Sequence, residues 1–217
     1  MVGEAQAGID SVITPRRTLD GVRDVLRTIR RAPERLLHPW RRSRVRARLA
    51  AAGAPGTVLV ICHGNICRSP YAAAKLRALV PGVGIRVESA GFIGPHRPSP
   101  ADAVAVAAAR GIDLRRHRSK LLTRSAVGGA DLVIVMEPRQ VASLHLHYGT
   151  TKRPVLVLGD LDPHEPLTRA IRDPVEQPRK VFAECYARID DCLGQLIQVV
   201  WGGSSTGVAR PSSPAAR

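Results

Sequence analysis

Val58-Leu-Val-Ile61, then Cys62-His-Gly-Asn-Ile-Cys-Arg-Ser-Pro70, then Tyr71-Ala-Ala-Ala-Lys-Leu76 is the stretch on which the reading of this chain turns. The apolar run reads as a strand, the glycine-containing segment as a tight loop, and the alanine-rich run as a helix. Backbone N–H groups of such a loop converge on an anion, and the helix N-terminus adds positive potential. Cys62 opens the loop and Arg68 closes it. A thiol in that field loses its proton easily and becomes a nucleophile near neutral pH. The segment is therefore read as a loop that binds a phosphate-like group and attacks it.

Each position has a physical role in that reading. Gly64 is expected to supply a backbone angle that other residues resist. Arg68 offers a planar fork for two phosphate oxygens. Ser69 is expected to cap the helix, with Pro70 at its first position, and its hydroxyl can also donate to the Cys62 sulfur. A buried cysteine after a strand is the plainer alternative, since free cysteine is often buried. That alternative leaves Gly64, Arg68 and the strand–loop–helix setting unexplained.

The 217 residues suit one domain of ordinary size with extra segments, and a hydrophobic fraction of 44% is enough for a packed core. Aromatics are only 3%, so that core is built from Val, Leu, Ile and Ala. Cys62, Cys67, Cys185 and Cys192 are too few and too uneven for a disulfide framework, and no CxxC pair points to structural zinc. No basic leader with an apolar run opens the chain, and no apolar run approaches the roughly 18 residues a membrane span needs. The expectation is a cytoplasmic protein with reduced thiols.

The formal net charge is +15, and residues 1–52 carry twelve arginines against five acids. Nearly half of the excess thus sits in a quarter of the chain, which favours anionic partners without naming one.

Residues 1–52 read as a basic, partly helical extension, with 1–15 disordered. Leu19, Val22, Val25, Leu26 and Ile29 fall at helical spacing, and Pro33 is expected to interrupt that helix. Residues 53–56 read as a linker, 57–201 as the main domain and 202–217 as a disordered tail. Within the domain, strands are expected at Thr57–Ile61, Gly84–Ser89, Asp131–Met136 and Pro154–Leu158. Helices are expected at Pro70–Leu79, Ala101–Arg110, Pro138–Leu146 and Arg179–Val200, with a short one near Ser119–Thr123. Short apolar strands alternating with helices predict an α/β fold, a small four-stranded parallel sheet covered on both faces. In such sheets ligands lie beyond the carboxyl ends of the strands, which is where the Cys62 loop leaves.

Ile61–Ser69 resembles the Val-Cys-x-Gly-Asn-x-Cys-Arg-Ser pattern of low-molecular-weight protein tyrosine phosphatases, with Ile for Val. Ser89-Ala-Gly91, Gly111-Ile-Asp-Leu-Arg-Arg-His-Arg-Ser119, Asp131–Glu137 and Asp173-Pro174 resemble further stretches of that family, in the same order. The likeness covers about Thr57 to Val200. It implies a protein tyrosine phosphatase with the phosphotyrosine phosphatase I-like fold, acting on phosphotyrosine-containing protein through a phosphocysteine intermediate. No cofactor and no metal are implied. Cys62, Arg68 and Asp173 would be catalytic. His63, Gly64, Asn65, Ile66, Cys67 and Arg68 would line the phosphate site, with Asn65, Ser69, Ser89 and His117 as its supporting network.

Phosphate ester cleavage needs a proton for the leaving oxygen, and a carboxylic acid in a loop can supply it. From the residues alone Asp160, Asp162, Glu165 and Asp173 all qualify; the resemblance selects Asp173. It also implies that Cys67 can form a reversible disulfide with Cys62, against the plainer reading of a small apolar side chain where the helix begins. Cys185 and Cys192 fall on the stripe Phe182, Cys185, Ile189, Cys192, Leu196, Val200 and read as core. Some family members carry aromatics just after the Asp-Pro pair, where this chain has Val175 and Glu176; Phe92 or Ile93 is the expected apolar wall instead.

Two rival functions share the loop. A thioredoxin-coupled arsenate reductase would need relay cysteines in mid-domain, and residues 68–184 hold none. A non-catalytic phosphate-binding adaptor would not need a nucleophile, an arginine and an acid together. The basic extension has three readings: a helix on an anionic membrane surface, a nucleic-acid contact poor in stacking aromatics, or a segment packed on the domain or mobile with solvated arginines. The third is the default, and no specific nucleic acid is expected.

Overall fold

The computed structural model describes residues 16–149, 154–164 and 166–202; over 16–33 it describes the backbone alone. The expected disorder of residues 1–15 and of the tail beyond 202, and the candidate acid Glu165, lie outside the described residues.

Four parallel strands form one sheet: β1 (Thr57–Cys62), β2 (Arg86–Gly91), β3 (Leu132–Val135) and β4 (Val155–Val157), in the order β2-β1-β3-β4. β1 is central, with Thr57 opposite Arg86 on one side and Val58 opposite Leu132 on the other. Its run Thr-Val-Leu-Val-Ile-Cys carries no alternation of polar and apolar residues, because both of its faces are buried. Val58, Val60 and Cys62 join the core on one side of the sheet, while Leu59 and Ile61 join the core on the other. β3 splits in the same way, Leu132 and Ile134 to the first side and Val133 and Val135 to the second.

The helices are α1 (Arg16–Ala52), α2 (Arg68–Leu79), α3 (Ala101–Ala108), α4 (Arg124–Gly129), α5 (Pro138–Tyr148) and α6 (Arg179–Val200), with a 3-10 turn over Leu158–Leu161. α2, α3 and α6 cover the first face of the sheet; α4 and α5 lie against the second. Phe182, Cys185, Ile189, Cys192 and Leu196 of α6 are all buried, as their spacing predicts, and Val200 packs against the same core. Among the described residues no helix is long and apolar enough to cross a membrane.

Three local expectations are corrected. α1 runs unbroken through Pro33, so its missing N–H does not end the helix. No helix forms over Ser119–Thr123: the Leu122 N–H donates to the Gly91 carbonyl at 2.8 Å, Lys120 O accepts from Gly91, and Leu121 bridges Gly91. The backbone there is spent on the end of β2, and the helix starts later, where Thr123 Oγ1 caps the Ala126 N–H at 3.1 Å. α2 begins at Arg68, not Pro70; Cys67 is its N-cap residue and no side chain caps it.

The last turns of α1 pack on the α/β body. His38 and Leu49 are buried, the His38 ring bonds the Asp162 carbonyl at 2.9 Å, and Arg42 and Arg46 both donate to Gln195 of α6. Of the three readings of the extension, packing holds for this part.

Candidate active site

The sheet order changes direction at β1, so the loops leaving the carboxyl ends of β1 and β3 flank the crevice where such folds take ligands. The first loop carries Cys62–Cys67 and the second begins with Glu137. A cavity of about 170 Å³ opens there, lined among others by Cys62, Ile66, Arg68, Ile93, Arg97 and Asp173.

Cys62 is the last residue of β1 and is buried. Its Sγ accepts hydrogen bonds from the Asn65 N–H at 3.3 Å and the Ser69 hydroxyl at 3.0 Å. The expected glycine angle falls one residue later. Gly64 is not in the left-handed region; Asn65 is, at φ 50°. Asparagine tolerates that region better than most residues, and here its side chain is bonded at both its nitrogen and its oxygen. Asn65 Nδ2 donates to Ser69 Oγ at 2.8 Å, and Asn65 Oδ1 accepts from the Lys120 N–H at 2.9 Å. A Cβ at Gly64 would sit 2.7 Å from the Arg97 guanidinium, so a larger residue there would have to move that side chain aside.

Of the expected network, the structure brings together Asn65, Ser69 and His117. The His117 ring lies 2.7 Å from the Asn65 carbonyl; a carbonyl only accepts, so Nε2 carries the proton. Burial pushes His117 below its ordinary value. Ser89 does not join. It is half-buried in mid-strand opposite Val60, and none of the network's hydrogen bonds reaches it. Ser119 instead closes the loop that follows β2, donating to Gly94 O at 2.5 Å and accepting from the Arg97 N–H at 2.9 Å.

Arg68 is buried at the start of α2. Its Nη1 donates to Glu137 Oε1 at 2.5 Å and to the Ile171 carbonyl at 3.1 Å, and its Nη2 donates to Asp173 Oδ2. Burial alone would lower the Arg68 value, but Cys62, Asp173 and Glu137 together hold it above the ordinary one. Glu137 is fixed in turn. It is the N-cap of α5 in a capping box with Gln140, and its Oε2 meets Arg139 at 2.6 Å. Burial works to raise the Glu137 carboxyl, yet the hydrogen bonds from Arg68 and Arg139 bring it below its usual range.

The four cysteines are free and buried. Burial pushes the Cys67 thiol well up, and Cys185 up to about 12. The rival acids are engaged elsewhere: Asp160 takes both arms of Arg169, and Asp162 takes Arg188 at 2.7 Å. Ile93 and Val175 line the cavity, whereas Phe92 faces a neighbouring groove of about 660 Å³ with Tyr148.

Sequence reasoning did not find Glu137, Arg97 or Tyr186. Tyr186 stacks on Tyr71 with ring centroids 3.8 Å apart, and its hydroxyl donates to the Cys67 carbonyl, pinning the end of the loop from α6. Glu137-Pro-Arg-Gln140 signals a helix start, and that signal was the available clue.

A buried cysteine at the carboxyl end of a central parallel strand, bonded by a loop amide and a serine hydroxyl and sharing a cavity with an arginine and an aspartate, defines a class of cysteine-centred α/β proteins. Residues 57–203 match the family described as low molecular weight phosphotyrosine protein phosphatase. The chain is 36% identical over 133 residues to the probable low molecular weight protein-tyrosine-phosphatase EpsP of Ralstonia solanacearum, covering 61% of this chain and 88% of that protein. It is 32% identical over 145 residues to the low molecular weight protein-tyrosine-phosphatase Wzb of Escherichia coli K12, covering 66% and 94%. Among solved structures, Vibrio vulnificus Wzb in complex with benzylphosphonate superposes with a TM-score of 0.55 at 28% identity, over 64% of this chain and 94% of that one. The chain belongs to the low molecular weight protein-tyrosine-phosphatase family, whose match leaves α1 outside.

Proposed function

We propose that this chain hydrolyses phosphotyrosine in proteins by way of a phosphocysteine, with Cys62 as nucleophile, Arg68 as phosphate clamp and Asp173 as proton donor and acceptor. The observation that carries the proposal is the convergence of all three on one small cavity. Hydrogen bonds donated to the sulfur stabilise negative charge on it. The Nε–H of Arg68 is buried with no hydrogen-bond partner, and it lies on the same edge of the guanidinium as Nη2. That edge is the fork that binds two oxygens of a phosphate.

The steps follow from these roles. Phosphate takes Nε and Nη2 of Arg68, which displaces the Asp173 carboxyl toward the leaving oxygen. Cys62 Sγ attacks phosphorus as the thiolate, its proton having passed to Asp173; the bond from phosphorus to the tyrosine oxygen breaks, and Asp173 gives that oxygen the proton. Water then attacks the phosphocysteine, Asp173 accepts its proton, and the P–S bond breaks. The N–H groups of residues 63–68 and Arg68 hold the equatorial oxygens throughout. Ile93 and Val175 flank the tyrosine ring at the mouth.

Rapid acid quench during turnover of an aryl phosphate tests this. A phosphorylated peptide containing Cys62 is expected from wild type, and none from Cys62→Ser, which also loses turnover. Turnover that survives in Cys62→Ser overturns the proposal.

A further inference from the structure

The first 52 residues lie outside the family match, and the described part of α1 has two contrasting faces. His38, Arg42, Val45 and Leu49 recur at spacings of four, three and four and meet the α/β body. The opposite face carries Leu36 and Trp40, one turn apart, and they are 80% and 58% exposed. Leu37 beside them is 44% exposed. In the sequence, positions 22, 26, 29, 36 and 40 fall on one side of a continuous helix, so the apolar spacing over Leu19–Ile29 is in register with Leu36 and Trp40. With 37 residues, α1 is about 55 Å long.

The charge of this helix is strongly positive. Residues 16–52 hold twelve arginines against Asp20, Asp24 and Glu34, and Glu34 is paired with Arg41 at 2.8 Å. Arg44 lies over the Trp40 ring, 5.2 Å from its centroid, which gives the indole an apolar body with a cationic rim. A second copy of α1 placed against the stripe would face arginine with arginine. A bilayer rich in acidic headgroups meets the same surface with opposite charge and accepts the apolar side chains between those headgroups.

We propose that the outward face of α1 lies on an anionic lipid bilayer, with Leu36 and Trp40 inserted at headgroup depth and the arginines on the lipid phosphates. The helix lies in the surface plane and does not span it. The α/β body is carried at the membrane by the docked last turns of α1. This proposal does not depend on the catalytic reading.

The test uses the full chain with vesicles of phosphatidylcholine alone and of phosphatidylcholine mixed with phosphatidylglycerol. Expected are co-sedimentation with the mixed vesicles only, loss of binding on adding salt, and a blue shift of tryptophan emission that Trp40→Phe removes. Leu36→Glu combined with Trp40→Glu is expected to weaken binding about tenfold or more. Both positions are exposed, so the double variant is expected to keep the wild-type circular dichroism spectrum and urea midpoint, which serve as the check that it is folded. The absence of binding to the mixed vesicles overturns the proposal. So does binding that the folded double variant retains, and so does a concentration-dependent dimer, split by the same substitutions, in a chain that ignores vesicles.

Discussion

Arg68 and Glu137 stand 69 residues apart in sequence and 2.5 Å apart in space, joining the start of α2 to the start of α5 beside the central strand. The carboxylate fixes one arm of the guanidinium and leaves the other edge for an anion. Glu137→Ala frees that arm and strips a buried cation of a charged partner. The expected cost is about 2 kcal/mol in urea unfolding. Turnover of an aryl phosphate is expected to fall about tenfold to a hundredfold, because a misaimed clamp loses transition-state contacts. Glu137→Gln keeps a hydrogen bond and is expected to fall in between. Wild-type turnover in Glu137→Ala would remove Glu137 from the site.

Asp173 makes an ion pair with Nη2 of the same arginine, the atom the proposed clamp would give to phosphate. Substrate and Asp173 therefore compete for one donor. Asp173→Asn is expected to lower turnover about a hundredfold or more through loss of the proton donor. It is also expected to bind inorganic phosphate more tightly than wild type, because the competing carboxylate is gone. Product-inhibition constants check the second point. Weaker phosphate binding in Asp173→Asn would show that Asp173 supports the anion site and does not compete for it.

What the sequence reveals and what it hides divides by distance along the chain. Strand, loop and helix around Cys62 are local, so an apolar run, a glycine and an arginine suffice to read them. The parallel sheet follows from four apolar runs buried on both faces. The Arg68 partners lie 69, 103 and 105 positions away, and Tyr186 reaches Cys67 across 119. No local signal marks such pairs. The sequence points to Gly64 for the angle that Asn65 adopts, because glycine is the commoner residue there and the asparagine's anchoring bond comes from Lys120, in a distant segment. Ser89 opens a matching motif, yet β2 continues through Gly91 and keeps it beside Val60. Pro33 reads locally as a helix stop, yet the helix continues through it to Ala52.

Gly91 lies where β2 passes beneath the loop. A Cβ there would come within 2.8 Å of the Asn65 amide nitrogen and 2.9 Å of the Gly64 carbonyl carbon and the His63 oxygen. All three are backbone atoms, so no side chain can move aside. Gly91→Ala is expected to push the loop outward, costing about 1–3 kcal/mol in thermal or urea unfolding. The same shift would lift the Asn65 N–H from Cys62 Sγ, so turnover is expected to fall by more than the stability loss explains at temperatures where the variant remains folded. Gly94→Ala meets the Arg97 side chain and adds backbone strain at φ 61°, so it disturbs the neighbouring turn without pressing on the Asn65 backbone.

His117 ties the same loop to the segment that follows α3, and it does so as a neutral imidazole donating from Nε2 to the Asn65 carbonyl. Burial, ahead of the nearby Lys120 and Arg118 charges, lowers its value below the ordinary 6.5. The sign of the linkage follows. The unfolded chain takes up this proton at higher pH than the native one, so the stability His117 contributes is complete above pH 6.5 and is lost as pH falls from there through the native value. Wild type is therefore expected to lose stability over that interval with a slope that His117→Asn lacks. Asparagine can keep a hydrogen bond to the carbonyl and cannot titrate. Parallel pH profiles of urea midpoints for the two proteins are the measurement. Coincident slopes below pH 6.5 would show that His117 titrates in the native state as it does in the unfolded chain.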